Sequence, residues 1–194
     1  MLQLWMISHA SGKQDAHSLL HTILKKYYGC IDPTFSTLPG GKPVLADYAL
    51  HFNLSHSGPF ALCGVGDHPL GVDVERIKPR RPGLPRYVLS DKEWDWFTAR
   101  GSRWEDFYTI WTLKESFCKF TGLGLTRPVS AIPVPLPRQI LPSGACLPFG
   151  SVCFTLFSGP GWRAAVCSPA RCASSIRWLT PGQLPPVGKK IPQK

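Results

Sequence analysis

Residues 52–75 read FNLSHSGPFALCGVGDHPLGVDVE and contain three short apolar runs separated by two segments rich in glycine and proline. Runs of this length, bounded by turn-forming residues, are typical of β-strands joined by tight connections. We therefore predict an antiparallel meander, with strands at 52–55, 60–64 and 70–75.

Helical patterns lie on both sides of this segment. Apolar residues recur at helical spacing over 15–28, and Gly29 is placed to end that helix. Ser90 and Glu93 have the spacing of a capping box, which predicts a helix ending near residue 98. A further helix is predicted at 104–120, and further strands at 130–134, 152–158, 162–168 and 175–179. Helices and strands in this order, without βαβ alternation, predict an α+β fold with mainly antiparallel sheets.

The composition is that of a folded, basic protein. The chain has 194 residues, a net charge of +10 and 43% hydrophobic residues, which excludes a disordered chain. Its length fits one domain or two closely packed halves. Every carboxylate side chain lies at or before Glu115, so the 79 residues after it contain nine Lys or Arg and no acidic residue. This asymmetry predicts an anionic partner: a nucleic acid, a phosphorylated ligand or an acidic protein.

Cysteine usage and hydropathy indicate the cellular compartment. The seven cysteines form no CxxC pair, which argues against a zinc ribbon or a disulfide framework. We therefore expect reduced thiols in a cytoplasmic protein. The sequence has neither a run of about 18 apolar residues nor the pattern of a signal peptide, so we expect no membrane association.

Asp73 and Glu75 are the first candidates for chemistry. Alternate residues of a strand share a face, so the two carboxylates of Asp73-Val74-Glu75 point the same way. Mg²⁺ binds such oxygen donors and completes its coordination with water and substrate phosphate. The alternative is a solvated strand face, or an ion pair with Arg76 or Lys78.

The predicted helix at 104–120 carries the second set of candidates. Trp111, Glu115 and Lys119 stand four residues apart and therefore share one stripe. A carboxylate with a cation one turn later suits a site for a metal ion and a pyrophosphate. The alternative is a simple ion pair between Glu115 and Lys119, worth about 0.3 kcal/mol.

Four motifs together resemble one known family. They are GKP at 41–43, FNLSHS at 52–57, GVDVE at 71–75 and WTLKESFCK at 111–119. Their types and order are similar to those of the 4′-phosphopantetheinyl transferases, in the larger, Sfp-type subfamily. The resemblance covers residues 41–124.

The resemblance implies a fold of two similar α+β halves related by a pseudo-twofold axis, with mainly antiparallel sheets and coenzyme A (CoA) between the halves. Residues 1–69 would form a shortened N-terminal half, residues 70–180 a C-terminal half with the metal site, and residues 181–194 a loose tail.

The resemblance also implies an activity. Sfp-type enzymes move 4′-phosphopantetheine from CoA to a serine of an acyl or peptidyl carrier protein and release adenosine 3′,5′-bisphosphate. In this chain Asp73, Glu75 and Glu115 would hold Mg²⁺, or alternatively Mn²⁺. Glu115 would also take the serine proton, and Lys119 would contact the pyrophosphate.

Other matched positions would bind CoA. Ser55 and His56 would contact its phosphates, Lys42 would lie near the adenosine, and Lys114 would also contact CoA unless it is an exposed helical lysine. Carrier proteins of this class are acidic, which agrees with the basic composition. We expect a monomer that binds neither nucleic acid nor membranes.

The chain departs from the family at its N-terminus. Members of the family have a longer segment before the first helix, with basic residues for the CoA 3′-phosphate, and many have arginine where this chain has Ser18. We therefore expect little discrimination between CoA and dephospho-CoA. Three alternatives stay open: a truncated homologue with impaired CoA binding, a Mg²⁺-dependent phosphodiesterase, and a basic nucleic-acid-binding protein, although no nucleic-acid-binding motif is present.

Overall fold

Strands and helices alternate in groups along the chain. The computed structural model describes residues 2–10, 12–122, 124, 128–139, 141–169, 175–180 and 183–184. The strands are β1 (Gln3–Ile7), β2 (Phe35–Thr37), β3 (Pro43–Leu45), β4 (His51–Ser57), β5 (Phe60–Gly66), β6 (Gly71–Arg76), β7 (Ala145–Phe149), β8 (Val152–Gly159), β9 (Trp162–Ser168) and β10 (Arg177–Leu179). The helices are α1 (Lys13–Tyr28), α2 (Leu84–Val88), α3 (Asp91–Ala99) and α4 (Trp104–Thr121), and a 3₁₀ turn spans Val129–Ala131.

The strands form two four-stranded sheets and one small hairpin. The first sheet has the order β10-β1-β5-β4, the second the order β6-β9-β8-β7, and β2 pairs with β3. Neighbouring strands are antiparallel except β1 and β10, which are parallel. The prediction of an α+β fold with mainly antiparallel sheets is confirmed. The pseudo-twofold relation of two halves stays a prediction.

The predicted three-stranded meander is wrong at its third strand. β4 and β5 form the expected hairpin, but β6 leaves the first sheet and pairs with β9 in the second. Val72 and Val74 of β6 are fully buried in an apolar cluster that takes side chains from both sheets, including Met6 and Val166. Burial between the sheets therefore decides the position of β6, and a local alternation pattern contains no information about it.

The helix signals are confirmed, and one strand prediction is not. Gly29 ends α1 in a left-handed conformation at φ 65°. Ser90 and Glu93 form the predicted capping box at the start of α3. The strand predicted at 130–134 is absent from the structure, which has a 3₁₀ turn there. Pro128, Pro133 and Pro135 lack backbone N–H donors, which disfavours sheet pairing in this stretch.

The N-terminal segment is a fully paired strand. β1 pairs with β5 on one side and with β10 on the other, so neither edge of it is open. Residues 177–179, assigned above to the C-terminal half, thus complete the sheet of the N-terminal half. The predicted tail at 181–194 lies outside the described residues except for residues 183 and 184.

Two of the seven cysteines depart from the expectation of reduced thiols. Cys146 and Cys153 form a disulfide across the β7–β8 hairpin, where their Cα atoms are 6.4 Å apart. The sequence pattern did not predict β7, and without this hairpin nothing indicated that the two residues are neighbours. Cys30, Cys63, Cys118 and Cys167 are buried thiols. Among the helices in the described part of the chain, none has the length and hydropathy needed to span a bilayer.

Candidate active site

Strands β4 and β6 lie side by side where the two sheets meet, and side chains of β4 join them. Three side-chain oxygens of β4 accept backbone N–H groups of β6: Asn53 Oδ1 from Val72 (2.8 Å), Ser55 Oγ from Val74 (3.1 Å) and Ser57 Oγ from Arg76 (3.1 Å). The spacing of two residues on both strands keeps these contacts in register. The FNLSHS and GVDVE motifs are thereby brought into direct contact.

Asp73 is the most deeply buried carboxylate of this contact, with 3% of its surface exposed. Its Oδ1 accepts hydrogen bonds from Ser55 Oγ (2.8 Å) and from Lys119 Nζ (2.7 Å). Its Oδ2 is buried and has no hydrogen-bond partner among the described residues. Burial raises the pKa of Asp73, and the Lys119 ammonium opposes this shift. A buried carboxylate oxygen without a partner is costly, and a bound cation would satisfy it.

Glu75 and Glu115 complete a group of three carboxylates. Glu75 accepts hydrogen bonds from Ser57 Oγ at Oε2 and from Trp111 Nε1 (3.3 Å) at Oε1. Burial raises the pKa of Glu75, and the charge of Asp73 raises it further. Burial likewise raises the pKa of Glu115, with further contributions from Asp73 and Glu75. The three groups therefore repel one another in a region of low dielectric, which favours a cation.

The donor set fits Mg²⁺ better than a metal held by protein ligands alone. Within the described ranges, no three His, Cys, Asp or Glu side chains are close enough together to hold a metal ion. Mg²⁺ commonly uses one or two carboxylates and takes its other ligands from water and substrate phosphate. The partnerless oxygen of Asp73 and the adjacent carboxylates agree with that kind of site.

Gly71 allows α4 to approach β6 closely enough to form the site. A Cβ atom at Gly71 would lie 2.0 Å from the carbonyl oxygen of Ser116 and 2.3 Å from the backbone nitrogen of Phe120. Any larger residue would push the helix away from the strand. Gly71 therefore keeps Glu115 and Lys119 of α4 next to Asp73.

A cavity of about 450 Å³ opens beside the carboxylates. Its lining comes from α1, the β2–β3 turn, β4 and α4 and includes five basic side chains: Lys13, His17, Lys42, His56 and Lys119. Glu115 is the one acidic side chain among the described lining residues. The size suits a small ligand, and the charge suits an anionic one.

The structure brings most of the predicted site residues to this cavity and adds two that sequence analysis missed. Ser55, His56, Glu115 and Lys119 line it, whereas Asp73 and Glu75 are not among its described lining residues. Lys13 and His17 of α1 were not predicted, although their spacing of four residues places them on one face of the helix. Burial lowers the pKa of His17 and of His56, and nearby positive charges add to this effect.

Lys42 lines the cavity, but its ammonium bonds to the protein. Nζ donates to the carbonyl oxygens of Leu70 (2.8 Å) and Phe120 (3.3 Å). Burial lowers the pKa of Lys42 to about 8. The side chain thus connects the β2–β3 turn to the start of β6 and the end of α4. Its predicted contact with adenosine stays a prediction.

Lys114 lies away from the cavity. Its side chain is fully buried, with Nζ 2.7 Å from Glu93 Oε2 and 2.9 Å from the carbonyl oxygen of Val129. It is not among the described lining residues, so the structure gives no support to a CoA contact. It is not an exposed helical lysine either. Glu93 has the predicted capping role and a second one, because the same oxygen accepts from Ser90 N and pairs with Lys114.

Comparisons with known proteins agree with this geometry. The model of the 4′-phosphopantetheinyl transferase superfamily matches residues 69–167. The chain is 32% identical over 169 residues to the 4′-phosphopantetheinyl transferase Sfp of Bacillus subtilis strain 168, which covers 80% of this chain and 75% of that protein. The transferase ffp of Bacillus subtilis gives the same identity and coverage. The human L-aminoadipate-semialdehyde dehydrogenase-phosphopantetheinyl transferase is 33% identical over 102 residues, 44% of this chain and 33% of that protein. The chain belongs to the 4′-phosphopantetheinyl transferase superfamily, among its Sfp-type members.

Proposed function

We propose that the chain transfers 4′-phosphopantetheine from CoA to a serine hydroxyl of an acyl or peptidyl carrier protein in a Mg²⁺-dependent reaction. The observation that carries this proposal is the buried Asp73, with its partnerless Oδ2, beside Glu75 and Glu115 at the edge of a basic cavity. A basic cavity suits a ligand with several phosphates, and the carboxylates suit the ion that accompanies a pyrophosphate.

Asp73, Glu75 and Glu115 would hold Mg²⁺, or Mn²⁺ in its place, one or two of them by direct contact and the rest through water bound to the ion. The ion would supply charge neutralisation at the CoA pyrophosphate. The cavity side chains would bind the rest of the donor, with Lys13, His17 and His56 placed to meet its phosphates. Reactions of this type depend mainly on positioning and electrostatics, which agrees with a site made of charged side chains.

Lys119 and Glu115 have the more direct roles. Lys119 now pairs with Asp73, and 28% of its side chain is exposed at the cavity, so its ammonium can also reach a pyrophosphate. The serine oxygen would attack the phosphorus that carries pantetheine. The bond from that phosphorus to the nucleotide breaks, and adenosine 3′,5′-bisphosphate leaves. The serine proton would go to Glu115, directly or through water, because Glu115 lines the cavity in which the serine would meet the pyrophosphate.

The carrier protein would dock on the segment that follows Glu75. This basic segment, residues 76–86, has five exposed basic side chains: Arg76, Lys78, Arg80, Arg81 and Arg86. Tyr87, directly after it, is 80% exposed. A basic surface with an exposed aromatic residue suits an acidic partner, and its position would bring the serine to the carboxylates. The enzyme would act as a cytoplasmic monomer, without nucleic acid or membrane.

The release of adenosine 3′,5′-bisphosphate from CoA tests the proposal against a phosphodiesterase. With Mg²⁺ and an apo carrier protein, we expect one nucleotide released for each carrier molecule. A carrier whose acceptor serine is replaced by alanine should give no release. Release that continues without an acceptor serine would indicate hydrolysis and contradict the transfer.

A further inference from the structure

Ser57, which is in none of the predicted site sets, makes two hydrogen bonds to β6, and one of them is to a metal-site carboxylate. Its Oγ accepts the backbone N–H of Arg76 (3.1 Å) and donates to Oε2 of Glu75. Ser55, two residues earlier on β4, has the same arrangement: its Oγ accepts from Val74 N and donates to Asp73 Oδ1. Each serine of β4 therefore contacts both the backbone of β6 and a carboxylate of β6.

The chemistry of a hydroxyl fixes the direction of these bonds. A serine hydroxyl has one proton and two acceptor lone pairs. Because the N–H of Arg76 occupies a lone pair of Ser57, the Ser57 proton is available to the Glu75 carboxylate. The hydrogen-bonding capacity of the Ser55 hydroxyl is filled, since it accepts from Val74 N–H and from Lys119 Nζ and donates to Asp73.

Glu75 depends on such contacts more than Asp73 does. A glutamate has one more rotatable bond than an aspartate, and the pairing of β6 with β9 fixes only its backbone. Ser57 holds Oε2, and the indole N–H of Trp111 holds Oε1. One of these bonds comes from β4 and the other from α4. Together they orient the plane of the Glu75 carboxylate.

We propose that Ser57 is a positioning residue, which orients Glu75 for metal binding. This inference rests on the Mg²⁺ site of the proposed function. It also gives the N-terminal half a second role: besides lining the CoA cavity, its edge strand β4 sets the geometry of the carboxylates on β6. Outer partners of this kind orient metal ligands in many proteins, and their loss typically costs about 10- to 100-fold in metal affinity.

Asn53 provides a matched control on the same strand. It joins β4 to the backbone N–H of Val72 in the same way and, among the described contacts, bonds to no carboxylate. The variants Ser57→Ala and Asn53→Ala each remove one bridge between the strands, but only Ser57→Ala removes a bond to a metal-site carboxylate. Ser57→Thr keeps the hydroxyl and should restore the contact.

The experiment is a titration of Mn²⁺ into the full chain with saturating CoA and no carrier protein, followed by electron paramagnetic resonance of free Mn²⁺. We expect Ser57→Ala to raise the Mn²⁺ Kd about 10-fold. At saturating CoA, Ser57→Thr and Asn53→Ala should bind Mn²⁺ like the wild type, while the melting temperature of Asn53→Ala falls at least as much as that of Ser57→Ala, because the Asn53 contact is the more deeply buried. If Ser57→Ala does not fold, Ser57→Cys replaces it, because a thiol has nearly the same shape and donates weakly.

Three results would overturn the inference. A normal Mn²⁺ Kd for Ser57→Ala, or for the substitute Ser57→Cys, would show that Glu75 does not need the hydroxyl. An equal rise in Kd for Asn53→Ala would assign the effect to the contact between the sheets. A wild-type chain that binds no Mn²⁺ would refute the metal site of the proposed function, and this inference with it. The first two results leave that function intact, so the failures are distinguishable.

Discussion

Burial raises the pKa of Asp73, Glu75 and Glu115, and the charge of Asp73 adds to the shift at the two glutamates. A raised carboxyl pKa means that the folded chain binds a proton more tightly than the unfolded chain does. Stability from such a group is present at low pH and is lost as pH rises through the folded pKa. At neutral pH and without a metal ion, these carboxylates therefore lower the free energy of unfolding. Function explains their presence better than stability does.

Replacing Glu115 with glutamine tests this interpretation. In the presence of EDTA near neutral pH, we expect Glu115→Gln to raise the melting temperature by a few degrees, since about 1 kcal/mol corresponds to 2–4 °C in a chain of this size. The gain should shrink as pH falls towards the ordinary glutamate pKa of 4.5, where the wild-type carboxyl takes up its proton. Stabilisation by Mg²⁺ with CoA should be lost. Scanning calorimetry at several pH values measures both effects.

Glu105→Gln is the control for this experiment. Glu105 lies in the first turn of the same helix, where a carboxylate interacts favourably with the helix dipole. Its replacement should lower the melting temperature slightly. If Glu115→Gln also lowers the melting temperature at neutral pH, Glu115 has a structural role.

Local sequence patterns predicted α1, α3, α4, β8 and β9, because periodicity, capping residues and terminating glycines lie within or next to each segment. They did not predict the transfer of β6 to the second sheet, the pairing of β1 with β10, or β7. These features depend on contacts between distant parts of the chain.

For the site, the motifs indicated Asp73, Glu75, Glu115 and Lys119. Lys13, His17 and Ser57 were missed because only the packing of α1 and β4 brings them to the site.

Lys42 links three elements, and its pKa of about 8 makes the link sensitive to pH. Because burial lowers this pKa in the folded chain, the unfolded chain holds the proton more tightly, and stability rises with pH above about 8. We expect Lys42→Met to melt below the wild type and the difference to grow between about pH 7 and pH 9. Thermal melts of both proteins, with Lys25→Met as a control for loss of one charge, test this. A difference that shrinks with rising pH would contradict the burial of the Lys42 ammonium.

α1 and β4 determine how the cavity would distinguish CoA from dephospho-CoA. Burial lowers the pKa of His17 and His56, so both are mainly neutral near pH 8 and bind a phosphate weakly there. We expect little preference for CoA at about pH 8 and a clear preference only when the pH falls below the ordinary histidine pKa of 6.5, because both lowered pKa values delay the uptake of a proton. Calorimetric titration of both ligands measures it.

His17→Ala and His56→Ala should each weaken this pH dependence. His51→Ala is the control, because His51 lies on β4 but not among the described lining residues. A strong preference for CoA at pH 8 would show instead that lysines bind the 3′-phosphate.

The net charge of +10 should steer an acidic carrier protein towards the site. We expect kcat/KM for the carrier to fall as salt rises from about 0.05 to about 0.5 M, over which the Debye length shrinks about threefold. Arg81→Glu in the basic segment should lower kcat/KM for the carrier and reduce its salt dependence, without changing CoA affinity. Arg138→Glu, an exposed arginine elsewhere, is the control. Rates that do not depend on salt would indicate an apolar interface.

If the carboxylates between the two sheets serve metal-dependent transfer of phosphopantetheine, the carrier protein must gain mass. Intact-mass spectrometry of an apo carrier protein, after incubation with the chain and CoA, measures this gain. We expect the mass of one phosphopantetheine group to be added with wild-type chain and Mg²⁺, and none with EDTA or with the folded variant Asp73→Asn. An unchanged carrier mass with wild-type chain and Mg²⁺, or full addition by Asp73→Asn or in EDTA, would show that these carboxylates do not serve metal-dependent transfer.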